Sequence, residues 1–534
     1  MRRARTPRTV GSRGDPDVVE VAGDGLTRLR PARTTPVALD VLVPGAGSSV
    51  EVSGVTLDTR LVEPGDLFVG LPGRHHHGAS FAARAAQAGA VAVLTDADGA
   101  RLVADVLPVA VVEDPRRAMA HAAATVYGWP ARALTAYGIT GTQGKTTTAY
   151  LLDAALRAAG TSTGVVGTIG FSLDGRDLGG ARTTVTTPES PELQGLLGLL
   201  VERGAQALVM EVSSHALVLG RVDAVVFDVA AFTGFGEDHL DFHGDVESYF
   251  EAKASLFTPE RARHAVVNLD DARGPVLVGR ARAAGLPVTT TGLGPDADVH
   301  PVRVGPAEHG RTHLRVQVGD RQVGTRLPLP GEHNVRNALT ALAMVAAAGG
   351  DLEAAARGLE DASVPGRMQR VDLGEGAPAV FVDFAHTPQA VTAAVAALAG
   401  LQRVVVVLGA GGDRDPGKRR PMGAAAAELA DVVVVTDDNP RGEEPAAIRA
   451  EVLAGARGVR REGVQVVDGG DRRSAIATAL GLAGPDDTVL VLGKGHERGQ
   501  EVAGVVYPFV DADVVRRAWS ELGGRSEERD EVDR

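Results

Sequence analysis

The chain has 534 residues, 44% of them hydrophobic and only 4% aromatic, which suggests roughly two to four domains with aliphatic cores of Val, Leu and Ala. A formal net charge of −13 argues against general nucleic-acid binding and against an anionic membrane surface, while leaving room for a local cationic pocket. The lack of cysteine excludes disulfides, thiolate zinc sites and a cysteine nucleophile and fits a cytoplasmic protein, and no apolar run reaches the roughly 18–20 residues of a membrane helix.

Arg2, Arg3, Arg5, Arg8 and Arg13 are followed by no apolar stretch, so residues 1–21 read as a disordered arginine-rich extension rather than a secretory signal. Residues 523–534 read as its charged, disordered counterpart. Between them, β-branched runs alternate with Ala/Leu-rich stretches, the pattern of an α/β fold with parallel strands. Strands are expected at Val91–Leu94, Ala207–Met210, Ala224–Val229, Ala265–Asn268, Val380–Asp383, Val404–Leu408, Val432–Thr436 and Thr488–Leu492. Helices are expected at Thr146–Ala159, Asn334–Ala348 and Pro388–Leu398. Trp129-Pro130 and the turn Val364-Pro365-Gly366-Arg367 mark two junctions, giving domains at 22–130, 131–365 and 366–522.

Of 55 basic side chains, only Lys145, Lys253, Lys418 and Lys494 are lysine, and each lies in a motif-like stretch. An ammonium is a compact, titratable charge, which a guanidinium is not. Drift in an arginine-rich chain explains a lone lysine equally well, but Lys145 sits in a phosphate-binding pattern. Tyr137–Thr140 reads as a strand end, Gly141, Thr142, Gln143 and Gly144 as a loop, and Lys145 onward as a helix start. Backbone N–H groups of such a loop wrap a phosphate, the helix N-terminus adds positive charge, Lys145 reaches the outer phosphates and the Thr146 hydroxyl ligates Mg²⁺. Only two residues separate Gly141 from Gly144, where Walker loops have four.

Glu211 follows a buried strand, where a second metal-binding acid belongs, although Glu211-Val212-Ser213-Ser214 also reads as a helix cap. Asp238-His239-Leu240-Asp241-Phe242-His243 packs two acids and two histidines into six residues, a density that favours metal or phosphate contact.

Taken in order, these motifs resemble the Mur ligase family, the ATP-dependent amide-bond-forming enzymes of peptidoglycan synthesis. The likeness covers roughly residues 29–520, and the shortened glycine loop is itself the family's form. It implies an N-terminal uridine-binding α/β domain, a central P-loop-type ATPase domain with a mostly parallel sheet and a C-terminal Rossmann-like domain. It further implies a cytoplasmic monomer using ATP and Mg²⁺. Within the family the likeness is to members that add diaminopimelate to UDP-N-acetylmuramoyl-L-alanyl-D-glutamate.

The resemblance also implies roles. Thr56–Arg60 and Pro64–Phe68 resemble the uridine-binding segments, with Thr59 on the UDP substrate. Thr186 and Thr187, joined by Ser213 and Arg221, resemble the muramoyl-binding loop. Glu211 and His239 join Thr146 as Mg²⁺ ligands, and Lys253 in A-K-A-S-L-F matches a lysine carried as a carbamate, an anion able to hold a second Mg²⁺. Lys145, Lys253 and His239 are thereby the catalytic candidates, and Thr147 joins the ATP loop. Asn268, Asn334 and Asn337 resemble adenine-side contacts, Arg367 a phosphate contact, and Asp383 with His386 lies where the third domain meets the nucleotide. Asp438, Asn439, Pro440 and Arg441 match a D-N-P-R motif associated with diaminopimelate addition, since a guanidinium pairs bidentately with a distal carboxylate that lysine lacks. Read alone, this segment is a simple Asn-Pro turn. Arg414 is a second such cation, and Gly493 and Glu497 would receive the distal ammonium.

Some residues depart from the family. Thr233-Gly234-Phe235-Gly236-Glu237 stands where T-N-L-S-R is common, and Gln143, His333 and Gln369 also replace common residues. Two competing expectations follow: a family member adding L-lysine or another amino acid, and a catalytically weakened binding or scaffold homologue.

Overall fold

The computed structural model describes residues 28–73, 75–179, 185–236, 238–308, 311–398 and 403–532. The arginine-rich extension and Glu237 lie outside the described residues. No described helix is long and apolar enough to cross a membrane.

The N-terminal sheet has four parallel strands in chain order, Gly54–Thr56, Asp66–Gly70, Ala92–Thr95 and Val109–Val111. The helix Pro115–Val126 covers it and buries Met119, Ala123 and Val126 among Leu67, Val69 and Leu94. Asp114 starts this helix by accepting from the backbone N–H groups of Arg116 and Arg117, with proline at the first helical position. Such a cap contributes about 1 kcal/mol. Leu29–Pro31 lies along the helix Ser190–Glu202 of the central domain. Gly195 and Gly198 let it approach, since a Cβ at Gly198 would meet the Pro31 ring at 2.6 Å.

The central sheet has eleven strands. Its parallel middle runs, in spatial order, Thr163–Gly167, Ala207–Glu211, Thr135–Thr140, Val229–Phe232, Ala265–Asn268 and Val288–Thr291. These strands are short and mostly buried, as parallel strands covered on both faces are. An antiparallel hairpin, Gly170–Leu173 with Arg176–Asp177, extends one edge, and the meander Val299–Glu308, Arg311–Val318, Arg321–Leu327 extends the other.

The C-terminal sheet orders Gln369–Val371, Ala379–Asp383, Thr488–Leu492, Val404–Leu408, Val432–Thr436 and Gln465–Gly470, parallel except for the first pair. A two-stranded hairpin, Gly499–Val502 with Val505–Pro508, stands beside it. One buried apolar cluster links the two larger domains, running from Leu151 and Leu339 to Val391 and Met422.

Two expectations need correction. The strand expected at Ala224–Val229 is Val229–Phe232. Asp228 spends one carboxylate oxygen on the Ala136 N–H at 2.8 Å and the other on Arg263, so the regular ladder begins one residue later. The charged end is not irregular, because the helix starting at Asp511 continues to Val532. Its Ser-Glu-Glu-Arg-Asp-Glu run contains good helix formers and no Gly or Pro to stop it.

Candidate active site

In both larger domains the candidate residues follow the carboxyl ends of neighbouring parallel strands, the crevice where open α/β sheets bind ligands. In the central domain, Gly141–Gly144 follows Thr135–Thr140, Glu211 ends its strand, Thr233–Gly236 follows Val229–Phe232, and Asn268 ends Ala265–Asn268. Gly141 and Gly144 have φ of 150° and 85°, conformations that glycine adopts without the cost a side chain brings. A Cβ at Gly144 would come 2.6 Å from Asn337 Oδ1.

The phosphate loop is clasped by the altered stretch. Thr142 N–H donates to the Gly234 carbonyl at 2.9 Å, Gly236 N–H donates to Thr142 Oγ1 at 3.0 Å, and Thr233 Oγ1 donates to the Gln143 carbonyl at 2.5 Å. The first two contacts use Gly234 and Gly236 backbone and the third the Thr233 hydroxyl, so none needs an asparagine side chain at position 234. Thr147 is buried in the first turn of the loop helix.

Lys145 Nζ donates to the carbonyls of Gly141 and Thr142 at 2.8 and 3.1 Å. Lys253, 1% exposed, donates to the same Gly141 carbonyl at 2.8 Å and lies 4.5 Å from the centre of the Tyr249 ring. Burial lowers the pKa of both lysines. That of Lys253 falls to about 6, with the Lys145 charge adding to the burial effect. Tyr249 also meets Thr142 Oγ1 through its hydroxyl at 3.2 Å.

A chain of hydrogen bonds ties this loop to the Thr186–Thr187 segment. Thr146 Oγ1 donates to Glu211 Oε2 at 2.9 Å; Thr168 gives its N–H to Glu211 Oε1 at 2.9 Å and its hydroxyl to Oε2 at 3.1 Å. Thr168 Oγ1 and Thr186 Oγ1 are 3.1 Å apart. Thr187 Oγ1 donates to the Glu211 carbonyl and accepts from Ser213 N–H, while Arg221 holds the Thr187 carbonyl at 3.0 Å and pairs with Glu189. Thr59 sits half-buried in the turn after Gly54–Thr56. Across the domain junction, burial raises the pKa of Glu192, with the Glu189 and Asp58 charges adding to the shift and Arg28 and Arg221 opposing it.

The donors allow a test for Mg²⁺. Thr146 and Glu211 offer the hard oxygens this ion takes, and they are already in contact. Lys253 offers only an amine nitrogen, so a second ion needs the carbamate there. His239 stands half-exposed at φ 53°, its ring 4.8 Å from His215 and its Nε2 3.5 Å from Asp238. Among the described residues no group of three or more His, Cys, Asp and Glu side chains is placed to hold a metal. The pair Thr146–Glu211 fits one Mg²⁺.

Asn268 donates to the Thr233 carbonyl at 3.0 Å. Asn334 and Asn337 are buried within the helix Glu332–Ala347. Asn334 donates to the Pro330 carbonyl, while Asn337 takes the Thr148 hydroxyl and donates to Asn334. These two therefore stand behind the glycine loop, with these bonds spent inside the protein. From the third domain, Arg367 stacks over Phe384 at 4.5 Å. Asp383 accepts from the N–H groups of Met368 and Ala385. Burial raises the Asp383 pKa and lowers that of Arg367, each opposing the other's shift by its charge, and Glu211 also acts on Arg367. His386 hydrogen-bonds the Phe384 carbonyl.

In the C-terminal crevice, Asp438–Arg441 follows Val432–Thr436 and Gly493 follows Thr488–Leu492. Asn439 donates to Glu497 Oε2 at 2.7 Å. Gly493 has φ 109°, and a Cβ there would collide with the Asp438 carboxylate. Pro440 is buried. Arg441 donates to the Gly412 carbonyl at 2.8 Å, while Arg414 is exposed on the neighbouring loop. Burial lowers the pKa of Lys418, which the Asp438 charge opposes and the Arg414 and Arg441 charges reinforce.

Three contributors were given no role from the sequence. Lys494 is fully buried and reaches Glu497 Oε2 at 3.0 Å and Asn439 Oδ1 at 3.3 Å; its rarity as a lysine was the available signal. Arg472, 1% exposed, pairs bidentately with Asp511 and leaves Nη1 3.9 Å from Asp438. Thr168 carries no signal beyond following a strand.

Three family descriptions match the chain: a Mur ligase family catalytic domain at residues 51–127, a Mur ligase middle domain at 139–345 and a Mur ligase glutamate ligase domain at 366–495. A UDP-N-acetylmuramoyl-L-alanyl-D-glutamate–2,6-diaminopimelate ligase of Streptomyces avermitilis is 48% identical over 511 residues, covering 93% of this chain and 99% of that protein. A UDP-N-acetylmuramyl-tripeptide synthetase of Leifsonia xyli is 44% identical, covering 90% and 94%. A solved structure of a UDP-N-acetylmuramoyl-L-alanyl-D-glutamate–2,6-diaminopimelate ligase superposes with a TM-score of 0.68 at 30% identity, covering 92% of this chain and 100% of that one. With matches spanning all three domains, the chain belongs to the Mur ligase family.

Proposed function

We propose that this chain is the ATP-dependent ligase that joins diaminopimelate to the D-glutamyl residue of UDP-N-acetylmuramoyl-L-alanyl-D-glutamate. The observation that carries this reading is the Asp438–Arg441 loop set beside Lys494 and Glu497 at the carboxyl edge of the C-terminal sheet. Arg441 and Arg414 supply guanidinium groups for the distal carboxylate, and Glu497 with the Gly493 carbonyl receives the distal ammonium. Relatives covering 88% or more of the chain carry the name of this activity.

The dipeptide's carboxylate attacks the γ-phosphorus of ATP, giving an acyl phosphate and ADP. The diaminopimelate amine then attacks the acyl carbon, and phosphate leaves as the amide forms. Gly141–Gly144, Thr147 and the loop-helix N-terminus hold the phosphates, and Lys145 swings from its own loop carbonyls to the outer phosphate. Thr146 and Glu211, joined by His239, would hold one Mg²⁺ and the carbamate form of Lys253 a second, and the ions would supply charge neutralisation at the transferred phosphoryl group. Asn268, Arg367 and Asp383 border the nucleotide, with Asn334 and Asn337 supporting the loop from behind. Thr59, Thr186, Thr187, Ser213 and Arg221 hold the UDP substrate, and the Thr186–Thr168–Glu211 chain links its position to the phosphate site. On this reading the enzyme works in the cytoplasm as a monomer, where ATP is supplied.

The test is to trap the intermediate. ATP, Mg²⁺, the UDP-dipeptide and hydroxylamine, without diaminopimelate, should yield the D-glutamyl hydroxamate and ADP. ADP formation without hydroxamate, or none at all, would favour the weakened homologue.

A further inference from the structure

Arg441 is gripped by an element with no role in the reading so far. The hairpin strand Gly499–Val502 runs beside the Asp438–Arg441 loop, and Arg441 and Val502 pair as an isolated parallel bridge. Arg441 N–H donates to the Glu501 carbonyl at 2.9 Å, and Ala503 N–H donates to the Arg441 carbonyl at 2.7 Å. The Gln500 amide donates to the Asp438 carbonyl at 2.6 Å, and Glu501 N–H donates to Asn439 Oδ1 at 2.9 Å. These four bonds fix a loop whose Arg441 has φ 53°, a conformation a non-glycine residue holds only when its surroundings demand it.

The side chain is fixed as well. Arg441 Nη1 donates to the Gly412 carbonyl at 2.8 Å, and Nε stands 3.5 Å from Glu501 Oε2. Held at two of its three nitrogens, Nη1 and Nε, the guanidinium is restrained in rotation, and a preset orientation is what a bidentate contact with a carboxylate requires.

We propose that Glu501 is a positioning residue for Arg441, and through it a determinant of selection for an amino acid with a distal carboxylate. The inference rests on the reading of Arg441 given above. Glu501 does not touch the substrate; it pre-sets the cation that does. Its side chain is 40% exposed, so its carboxylate can be removed without opening the core, and the backbone bonds of the hairpin remain.

The test compares Glu501→Gln, Glu501→Ala, Arg441→Ala and the Glu501→Ala/Arg441→Ala double variant by steady-state kinetics with meso-diaminopimelate, LL-diaminopimelate and L-lysine. Glu501→Ala should raise KM for the preferred diaminopimelate isomer about tenfold, the scale of one charge-assisted contact. KM for ATP and the UDP-dipeptide, and the melting temperature, should not move. Glu501→Gln, which keeps a hydrogen-bonding group, should fall between Glu501→Ala and the parent. The double variant should be no worse than Arg441→Ala, because the carboxylate then has nothing to position. Additive losses, an unchanged KM, or a lowered KM showing that Glu501 competes with the substrate would each overturn the proposal. If Arg441→Ala itself leaves the KM for diaminopimelate unchanged, the reading of the amino-acid site fails first.

Discussion

Lys145 and Lys253 donate to a single acceptor, each side-chain nitrogen 2.8 Å from the Gly141 carbonyl oxygen. Two lysines on one carbonyl in a largely buried site cannot both stay charged without strong repulsion, and burial with the Lys145 charge lowers the Lys253 pKa to about 6. The neutral amine is the form that reacts with CO₂. Once carbamylated, Lys253 would be an anion beside Lys145, and repulsion would become attraction.

The sign of the pH dependence follows. The folded-state pKa of about 6 lies below the ordinary 10.5, so folding favours the neutral amine. The resulting stability penalty is fully present below about 6 and fades as pH rises toward 10.5. Carbamate should therefore form near neutrality and vanish in acid. Protein equilibrated with ¹³C-bicarbonate should show a carbamate resonance at about pH 7.5 that is lost at about pH 5 and is absent in Lys253→Arg. A resonance that persists in Lys253→Arg would contradict the assignment.

Lys253→Ala should be nearly inactive while folding normally, and short carboxylic acids should restore part of the turnover by standing in for the carbamate. Full activity without additives would remove the role.

Thr168→Val should break the hydroxyl link between Glu211 and Thr186 while sparing the Thr168 N–H bond. Losing such a bond costs about 1 kcal/mol, so kcat should fall roughly fivefold with an unchanged melting temperature. Parent-like kinetics would show that the two substrate segments are not coupled there.

Arg472→Met removes the partner of the fully buried Asp511 and should destabilise the protein by about 3–5 kcal/mol in urea unfolding. A loss under about 1 kcal/mol would mean that the pair is replaced locally by solvent.

Much of this was legible in the sequence because local chemistry and global fold agree. Val404–Leu408, Val432–Thr436 and Thr488–Leu492 are continuous apolar runs that only a strand buried on both faces accommodates, and all three appear with the expected bounds. The glycine loop was readable from Gly141, Gly144 and Lys145 because few structures need that pattern. The meander from Val299 to Leu327 was missed, although Arg311–Val318 alternates and Gly319-Asp320 offers a hairpin turn. The roles of Asn334 and Asn337 were harder. Whether an asparagine faces a ligand or the helix behind the loop depends on tertiary contacts that no local pattern encodes. Glu501 belongs to the same class, since its meaning arises only when the hairpin docks on Arg441.

Replacing Arg441 by alanine should raise KM for diaminopimelate by about 10–100-fold, the range expected for a charge-assisted pair, while KM for ATP and the UDP-dipeptide stays constant. Equal losses for all three substrates would indicate general damage rather than a lost amino-acid contact.

The central claim is tested most directly by supplying ATP, Mg²⁺ and UDP-N-acetylmuramoyl-L-alanyl-D-glutamate with meso-diaminopimelate, LL-diaminopimelate or L-lysine in separate reactions, and reading phosphate release and product mass. The account predicts a tripeptide product with a diaminopimelate isomer and none with lysine. Efficient lysine addition would contradict it.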